Sequence, residues 1–288
     1  MSQTQRHMEW VFCGATLFDF PLEQKVEAAA AGGFSAITCW VHDYLGARER
    51  GLDDAGIRRM LADNGIRLAG IDCLLNWLPD EQPPDIPAFR SSENDIYRVA
   101  DALGGEVINV AQAFSSQVDV SQATDVFAAI CERAATRGLA ATLEFIPWAG
   151  IRDLATANRI VAGSGMSNAR VALDFWHFFR GGSTFEELRA TPASRLANIQ
   201  LNDGPAQSWD SVVDEASERS LPGEGELPIR ELIDELVAIG FAGPWGLEAP
   251  TARWNELDSR EIGRQCGAAM RAMLSPTHTR PRKLGAAP

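Results

Sequence analysis

Two apolar runs in the middle of the chain each carry one carboxylate: Glu144 in LAATLEF, at 139–145, and Asp174 in VALDFWHFF, at 171–179. Aromatic residues follow both acids at once. A carboxylate at the far end of a buried strand is costly to desolvate unless a cation or hydrogen-bond donors meet it. Two later runs repeat the arrangement, with Gln200 in IQLND and Glu248 in GLEAP. Three carboxylates brought to one place cannot all stay ionised without a compensating cation. A divalent ion would supply it. Because Glu144, Asp174, Gln200 and Glu248 all present oxygen, Mg²⁺ or Mn²⁺ suits them better than Zn²⁺, which prefers nitrogen and sulfur. His177, close behind Asp174, is a candidate supporting or substrate-binding group.

Whether these side chains meet depends on the elements that carry them. Strand-like runs are expected at 10–17, 34–40, 66–72, 107–111, 139–145, 169–174, 196–202 and 245–249. Amphipathic helices are expected after them at 21–31, 53–64, 91–103, 121–137, 153–162, 184–189, 229–239 and 258–274. Short apolar strands alternating with helices imply parallel pairing through right-handed crossovers. Eight such units in one chain of 288 residues predict a closed (β/α)8 TIM barrel of the α/β class, a single domain over 10–274. A polar leader at 1–9 and a disordered tail at 275–288 flank it. An open doubly wound sheet would want a Gly-rich turn after the first strand, and Cys13-Gly14-Ala15 offers no GxGxxG. In a barrel, active sites form at the C-terminal strand ends. Glu144, Asp174, Gln200 and Glu248, at the ends of consecutive strands, then face one side of one mouth.

Composition excludes several function classes. A net charge of -13 repels polyanions, so nucleic acid is not an expected partner. Met1 to His7 is polar and no run approaches a membrane span, which points to a cytoplasmic protein without membrane association. The five cysteines are scattered, with no CxxC and no Cys/His cluster, and read as small core residues. Lysine is confined to Lys25, on a helix, and Lys283, in the tail, so no strand carries an amine for Schiff-base chemistry.

As an ordered set, LEFIPW, ALDFWHFFRGG, IQLND, ERSLPGEGEL and GLEAP resemble the xylose-isomerase-like TIM-barrel superfamily of sugar isomerases, epimerases and dehydratases, over about 10–274. The resemblance implies one divalent ion held by Glu144, Asp174, the residue at 200 and Glu248. It implies the two glutamates as acid and base, with His177 and Arg219 facing the substrate. It also implies members that form dimers or tetramers, a homo-oligomer that no residue here fixes. The family usually has histidine where this chain has Gln200. Glutamine keeps the neutral charge but trades nitrogen for oxygen, leaving open direct ligation, ligation through water, or none.

With a metal, a hydroxyl and an adjacent carbonyl can be chelated, and one glutamate can remove the intervening C–H proton to give an enediolate. Reprotonation makes the protein an isomerase or epimerase of a ketosugar or cyclitol. Loss of a β-substituent makes it a lyase or dehydratase, with His177 as acid for the leaving oxygen. A barrel that has lost catalysis and serves as a binding or accessory subunit is the third reading, suggested by Gln200. Of eight tryptophans, Trp40, Trp77, Trp148, Trp176, Trp209 and Trp254 fall at or just past strand ends. Indoles there can stack on a polyol or ketosugar with an apolar face, with Trp40, Trp148 and Trp176 as the expected contacts. The 202–228 connection is long for a βα loop and reads as a lid.

Overall fold

The computed structural model describes residues 8–79 and 81–275. Eight parallel strands close into a barrel in sequence order: β1 (Trp10–Phe12), β2 (Ala36–Trp40), β3 (Arg67–Leu74), β4 (Val107–Ala111), β5 (Ala140–Glu144), β6 (Ala169–Asp174), β7 (Leu196–Leu201) and β8 (Trp245–Leu247). β1 pairs with β8, so no edge is left. Each strand is buried on both faces because helices cover the outside, which is why the strands read as near-continuous apolar runs. The (β/α)8 architecture expected from the alternating pattern is the one observed. Of the flanking segments, 1–7 and 276–288 lie outside the described residues. Glu9 is part of the folded body, since its carboxylate takes two hydrogen bonds from Arg67 at 2.7 and 2.8 Å.

Closure of the ring is sealed by the first and last long helices, Leu22–Gly32 and Ser259–Leu274. Gly263 and Gly267 lie one turn apart on the last helix. A Cβ at Gly263 would sit within 1.9 Å of the Ala28 carbonyl oxygen, and one at Gly267 within 2.0 Å of the Gly32 oxygen. Only glycine permits that backbone approach. Caps fix most helix starts. Asp53, Asp153 and Asp258 each accept a hydrogen bond from a backbone amide in the first turn of the helix they precede.

Register carries the candidate side chains to one level. Ala111 pairs with Glu144, Glu144 with Ala172, Asp174 with Gln200, and Leu201 with Leu247, one residue before Glu248. The acids therefore sit together at the C-terminal rim. Three short helices were not expected: Val41–Glu49, Phe175–Arg180 and Val212–Ala216. All three lie on the rim side, directly after strands or within the long seventh loop. No helix among the described residues is long and apolar enough to cross a membrane.

Candidate active site at the barrel mouth

Glu144 closes β5 and is held by its neighbour on β4. Thr142 Oγ1 donates to Asn109 Oδ1 at 2.7 Å, which turns the Asn109 amide nitrogen toward Glu144 Oε2 at 2.6 Å. The other oxygen, Oε1, lies 3.2 Å from His177 Nδ1, at ion-pair distance but off the line of a good hydrogen bond. His177 reaches this point because Asp174 ends β6 and caps the next helix. Its Oδ1 accepts from the His177 amide at 2.9 Å, turning an apolar run that looks like continued strand into Phe175–Arg180.

Asp174 is wholly buried, and three donors satisfy it. Besides the capping amide, Oδ2 accepts from Asn202 Nδ2 at 2.6 Å and from Arg219 Nη1 at 2.7 Å. The same Nη1 lies 3.6 Å from Glu248 Oε1. Arg219 Nη2 approaches His177 Nε2 at 2.9 Å. A guanidinium has no acceptor, so Nε2 must accept and the ring proton belongs on Nδ1, facing Glu144. Arg219 Nε donates to the Ala216 carbonyl at 3.1 Å, and the guanidinium carbon sits 5.1 Å from the centre of the Trp176 ring. The arginine is thus fixed on every side. Glu248, just past β8, accepts from Gln200 Nε2 at 2.7 Å.

The loop from 202 to 228 is fastened down rather than hanging free. Buried Glu215 accepts from Trp176 Nε1, Arg180 Nε, Ser208 Oγ and the Trp209 amide, at 2.7, 2.7, 3.0 and 2.8 Å. Burial works to raise the Glu215 pKa, but the Arg180 guanidinium and the Trp209 and Trp176 N–H groups hold it below the usual glutamate range. Asp203 takes the amides of Gly204, Gly223 and Leu227, tying both ends of the loop. The lid expected there is a braced wall, and Arg219 is carried on it.

Asp72 on β3 is a site residue that the sequence reading missed. It is 4% exposed, lines the cavity, and one of its oxygens has no hydrogen-bond partner. Burial pushes its carboxyl up to about 7, a hydrogen bond from Thr38 opposes this, and the charge on Glu144 adds to it. Glu248 is likewise pushed well above the ordinary glutamate range by burial and by the charges of Glu144, Asp174 and Asp72, against the pull of Arg219. A raised folded-state pKa means that folding takes up a proton. The Asp72 contribution is fully present below about pH 4 and is lost as pH rises to about 7. Asp72→Asn is expected to flatten that dependence and to gain on the order of 2 kcal/mol at pH 8. Urea unfolding of both proteins at pH 5 and pH 8 checks this, and parallel pH profiles would rule it out.

Asp72, Glu144, His177, Arg219 and Glu248 line a cavity of about 800 Å³ that Asp174 and Gln200 do not reach, and its wall includes the aromatic residues Phe18, Trp40, Phe89, Phe114, Trp148 and Trp254. Phe18 meets Trp40 edge-on at 5.0 Å and Phe89 at 5.8 Å, and Phe89 meets Phe114 at 5.7 Å. Trp40 and Trp148 thus stand where substrate contact was expected. Trp176 does not. It is fully buried behind Arg219, between that guanidinium and Arg180, so it supports the arginine instead of meeting a ligand. Trp77 is in the core, its Nε1 bonded to the Ala111 carbonyl at 2.9 Å, and Trp209 is exposed outside the cavity. His177 borders the cavity, its Nε2 meeting Arg219 and its Nδ1 turned toward Glu144 without a hydrogen bond.

The same contacts test the expected metal. Mg²⁺ and Mn²⁺ need several oxygen lone pairs turned to one point. Here Asp174 spends both oxygens on three donors, Glu144 gives one to Asn109, Glu248 faces an N–H of Gln200, and Arg219 Nη1 lies against both Asp174 and Glu248. Among the described residues no group of three or more His, Cys, Asp or Glu is placed to hold a metal ion. Glu144, Asp174, Gln200 and Glu248 do come together, but as an ion-pair and hydrogen-bond network whose cation is Arg219. In this arrangement the Arg219 guanidinium is the cation that meets Asp174 and Glu248.

A closed parallel barrel with acids from β5, β6 and β8 at its mouth defines an α/β barrel of the enzyme-bearing kind. The chain belongs to the xylose isomerase-like TIM barrel family, whose pattern matches residues 26–271. It is 24% identical over 255 residues to the "Putative hydroxypyruvate isomerase" of Streptomyces coelicolor, covering 80% of this chain and 86% of that protein. It is 23% identical over 230 residues to a 3-dehydroshikimate dehydratase of Pseudomonas aeruginosa, covering 79% of this chain but only 36% of the dehydratase. Among solved structures, the IolI protein with a zinc atom superposes with a TM-score of 0.80 at 18% identity, over 93% of this chain and 98% of that one. At that identity the likeness is one of fold.

Proposed function

We propose that this protein is an isomerase or epimerase that moves a proton next to the carbonyl of a small hydroxy-carbonyl compound, a ketosugar or cyclitol in class. What carries the reading is that Glu144 and Glu248 reach one cavity from β5 and β8 with Arg219 and His177 between them. One carboxylate takes the C–H proton. The C–H electron pair moves into the carbon–carbon bond, and the carbonyl pair moves onto oxygen as an enediolate. The other carboxyl returns a proton. Return to the same carbon from the opposite face inverts it, and return to the neighbouring carbon, with transfer of the hydroxyl proton, shifts the carbonyl. Glu248, driven toward its protonated form by burial, is the natural donor.

The work first expected of Mn²⁺ or Mg²⁺, meeting the developing oxyanion, falls in this reading to the Arg219 guanidinium, fixed and desolvated before substrate arrives. Elimination is the second reading, favoured by similarity to the dehydratase. In that reading His177, whose Nδ1 makes no hydrogen bond, is the acid for the leaving oxygen. The acidic surface and small cavity suit a cytoplasmic enzyme of small molecules, without nucleic-acid or membrane partners.

The test is incubation with ketosugars, inososes and 3-keto-glycosides in D₂O, followed by NMR. Deuterium beside the carbonyl with the carbon skeleton and substituents intact supports isomerisation. Loss of a β-substituent replaces it with the lyase reading, and no exchange on any compound rejects enolisation. The aromatic wall further argues for a substrate with an apolar face. Trp40→Ala is expected to raise KM by about ten-fold with kcat within about three-fold, as for loss of one aromatic contact. A fall in kcat alone would rule out Trp40 as a stacking contact of this kind.

A further inference from the structure

We propose that the tetrad Glu144, Asp174, Gln200 and Glu248 holds no divalent ion in this protein, because Arg219 is built into the position as its permanent cation. Asp174 and Glu248, from either side of β7, converge on one nitrogen, Arg219 Nη1, at 2.7 and 3.6 Å. The two acids thus already share one cation. The arginine is not a passing surface side chain. It is 5% exposed, its Nε and Nη2 are spent on the Ala216 carbonyl and His177, and its plane is backed by Trp176, which buried Glu215 and Arg180 hold in turn.

Gln200 completes the exchange. Its amide N–H satisfies Glu248, where a metal ligand would leave that carboxylate free to turn inward. Gln200 Oε1 is left over as a neutral oxygen, while Glu144 Oε1 and Glu248 Oε1, also without hydrogen bonds, lie 3.2 Å from His177 Nδ1 and 3.6 Å from Arg219 Nη1. A hard divalent ion needs several oxygens, most of them charged, and those of Asp174 are taken. Displacing the guanidinium would leave it buried without its partner, which is unfavourable. Metal binding at this site therefore has to overcome an interaction the fold has already made.

The inference concerns what occupies the site and does not depend on the reaction; it rests on the enolisation reading only for the guanidinium's part in that chemistry. The test reads metal, not turnover. Wild-type protein purified without chelator is assayed for metal content and titrated with Mn²⁺ and Zn²⁺ by calorimetry, alongside Arg219→Met and Gln200→His/Arg219→Met. The wild type is expected to contain no stoichiometric ion and to show no saturable site at millimolar ion. The double variant is expected to gain Mn²⁺ affinity by at least about ten-fold, since it removes the competing charge and restores a nitrogen ligand. One tightly held ion per wild-type chain would overturn the proposal, whatever the variants do. A metal-free wild type with no gain in a folded double variant would also overturn it, because something other than Arg219 would then exclude the ion. Loss of deuterium exchange with the metal results as expected would count against the enolisation reading alone.

Discussion

Glu144→Gln is expected to lower proton exchange by about 10²–10⁴-fold, the range that a positioned acid or base contributes. The substitution keeps the side chain's shape and removes its basicity. It also disturbs the Glu144–His177 contact at 3.2 Å, since an amide N–H would have to face the Nδ1 proton. Glu144→Asp separates the two effects. It keeps the charge but withdraws the carboxylate by one methylene, and is expected to retain His177's environment while losing rate. Melting temperatures and His177 chemical shifts would show that the site is intact. A Glu144→Gln protein that exchanges at the wild-type rate would remove this residue from the chemistry.

Lys25→Met is expected to be the most destabilising single change outside the core, at about 3–5 kcal/mol, the cost of stripping one partner from a buried ion pair. Lys25 and Asp43 have side chains 0% and 1% exposed and meet at 2.7 Å. Lys25 Nζ also donates to the Phe18 carbonyl at 3.2 Å, and Asp43 Oδ2 accepts from the Trp40 amide at 3.0 Å. The pair therefore fastens the first helix to the two loops that present Phe18 and Trp40 to the cavity. In a domain of this size the loss corresponds to a fall of roughly 10 °C in Tm. Adding Asp43→Asn should recover much of it, because the orphaned charge is removed. An unchanged Tm would mean that His42, 3.5 Å from Asp43, or solvent takes over the lysine's part.

The pattern of short apolar runs and capped amphipathic helices was enough to read the barrel. β4 and β6 fall where expected, and the acids of β5, β6 and β8 with Gln200 of β7 are the ones brought to the rim. Where the reading erred, local chemistry overrode periodicity. The first strand ends at Phe12 rather than 17, because the chain turns into a short 3-10 segment whose Gly14 amide is held by Thr38 Oγ1 at 2.9 Å. Phe175–Arg180 has no polar face to betray it as helix; its cause is the Asp174 cap.

Asp72 went unread although the expected strand at 66–72 ends on it, because only the acids of the later strands were set against one another. The identity of the cation was least legible. Spacing brings Arg219 into the seventh loop, but only the three-dimensional course of that loop, braced by Asp203 and Glu215, turns the guanidinium onto Asp174. Trp176 followed the same logic. Its position after β6 was plain, and its direction was set by Glu215, on a segment far along the chain.

In the proposed reaction two rim glutamates exchange a proton beside the Arg219 guanidinium. The most direct test is deuterium incorporation beside the substrate carbonyl, measured on protein dialysed against chelator and assayed for metal in the same sample. The expected result is exchange at an undiminished rate with no metal present, and its loss in Glu144→Gln. Exchange that vanishes on chelation and returns in proportion to added divalent ion would contradict the account.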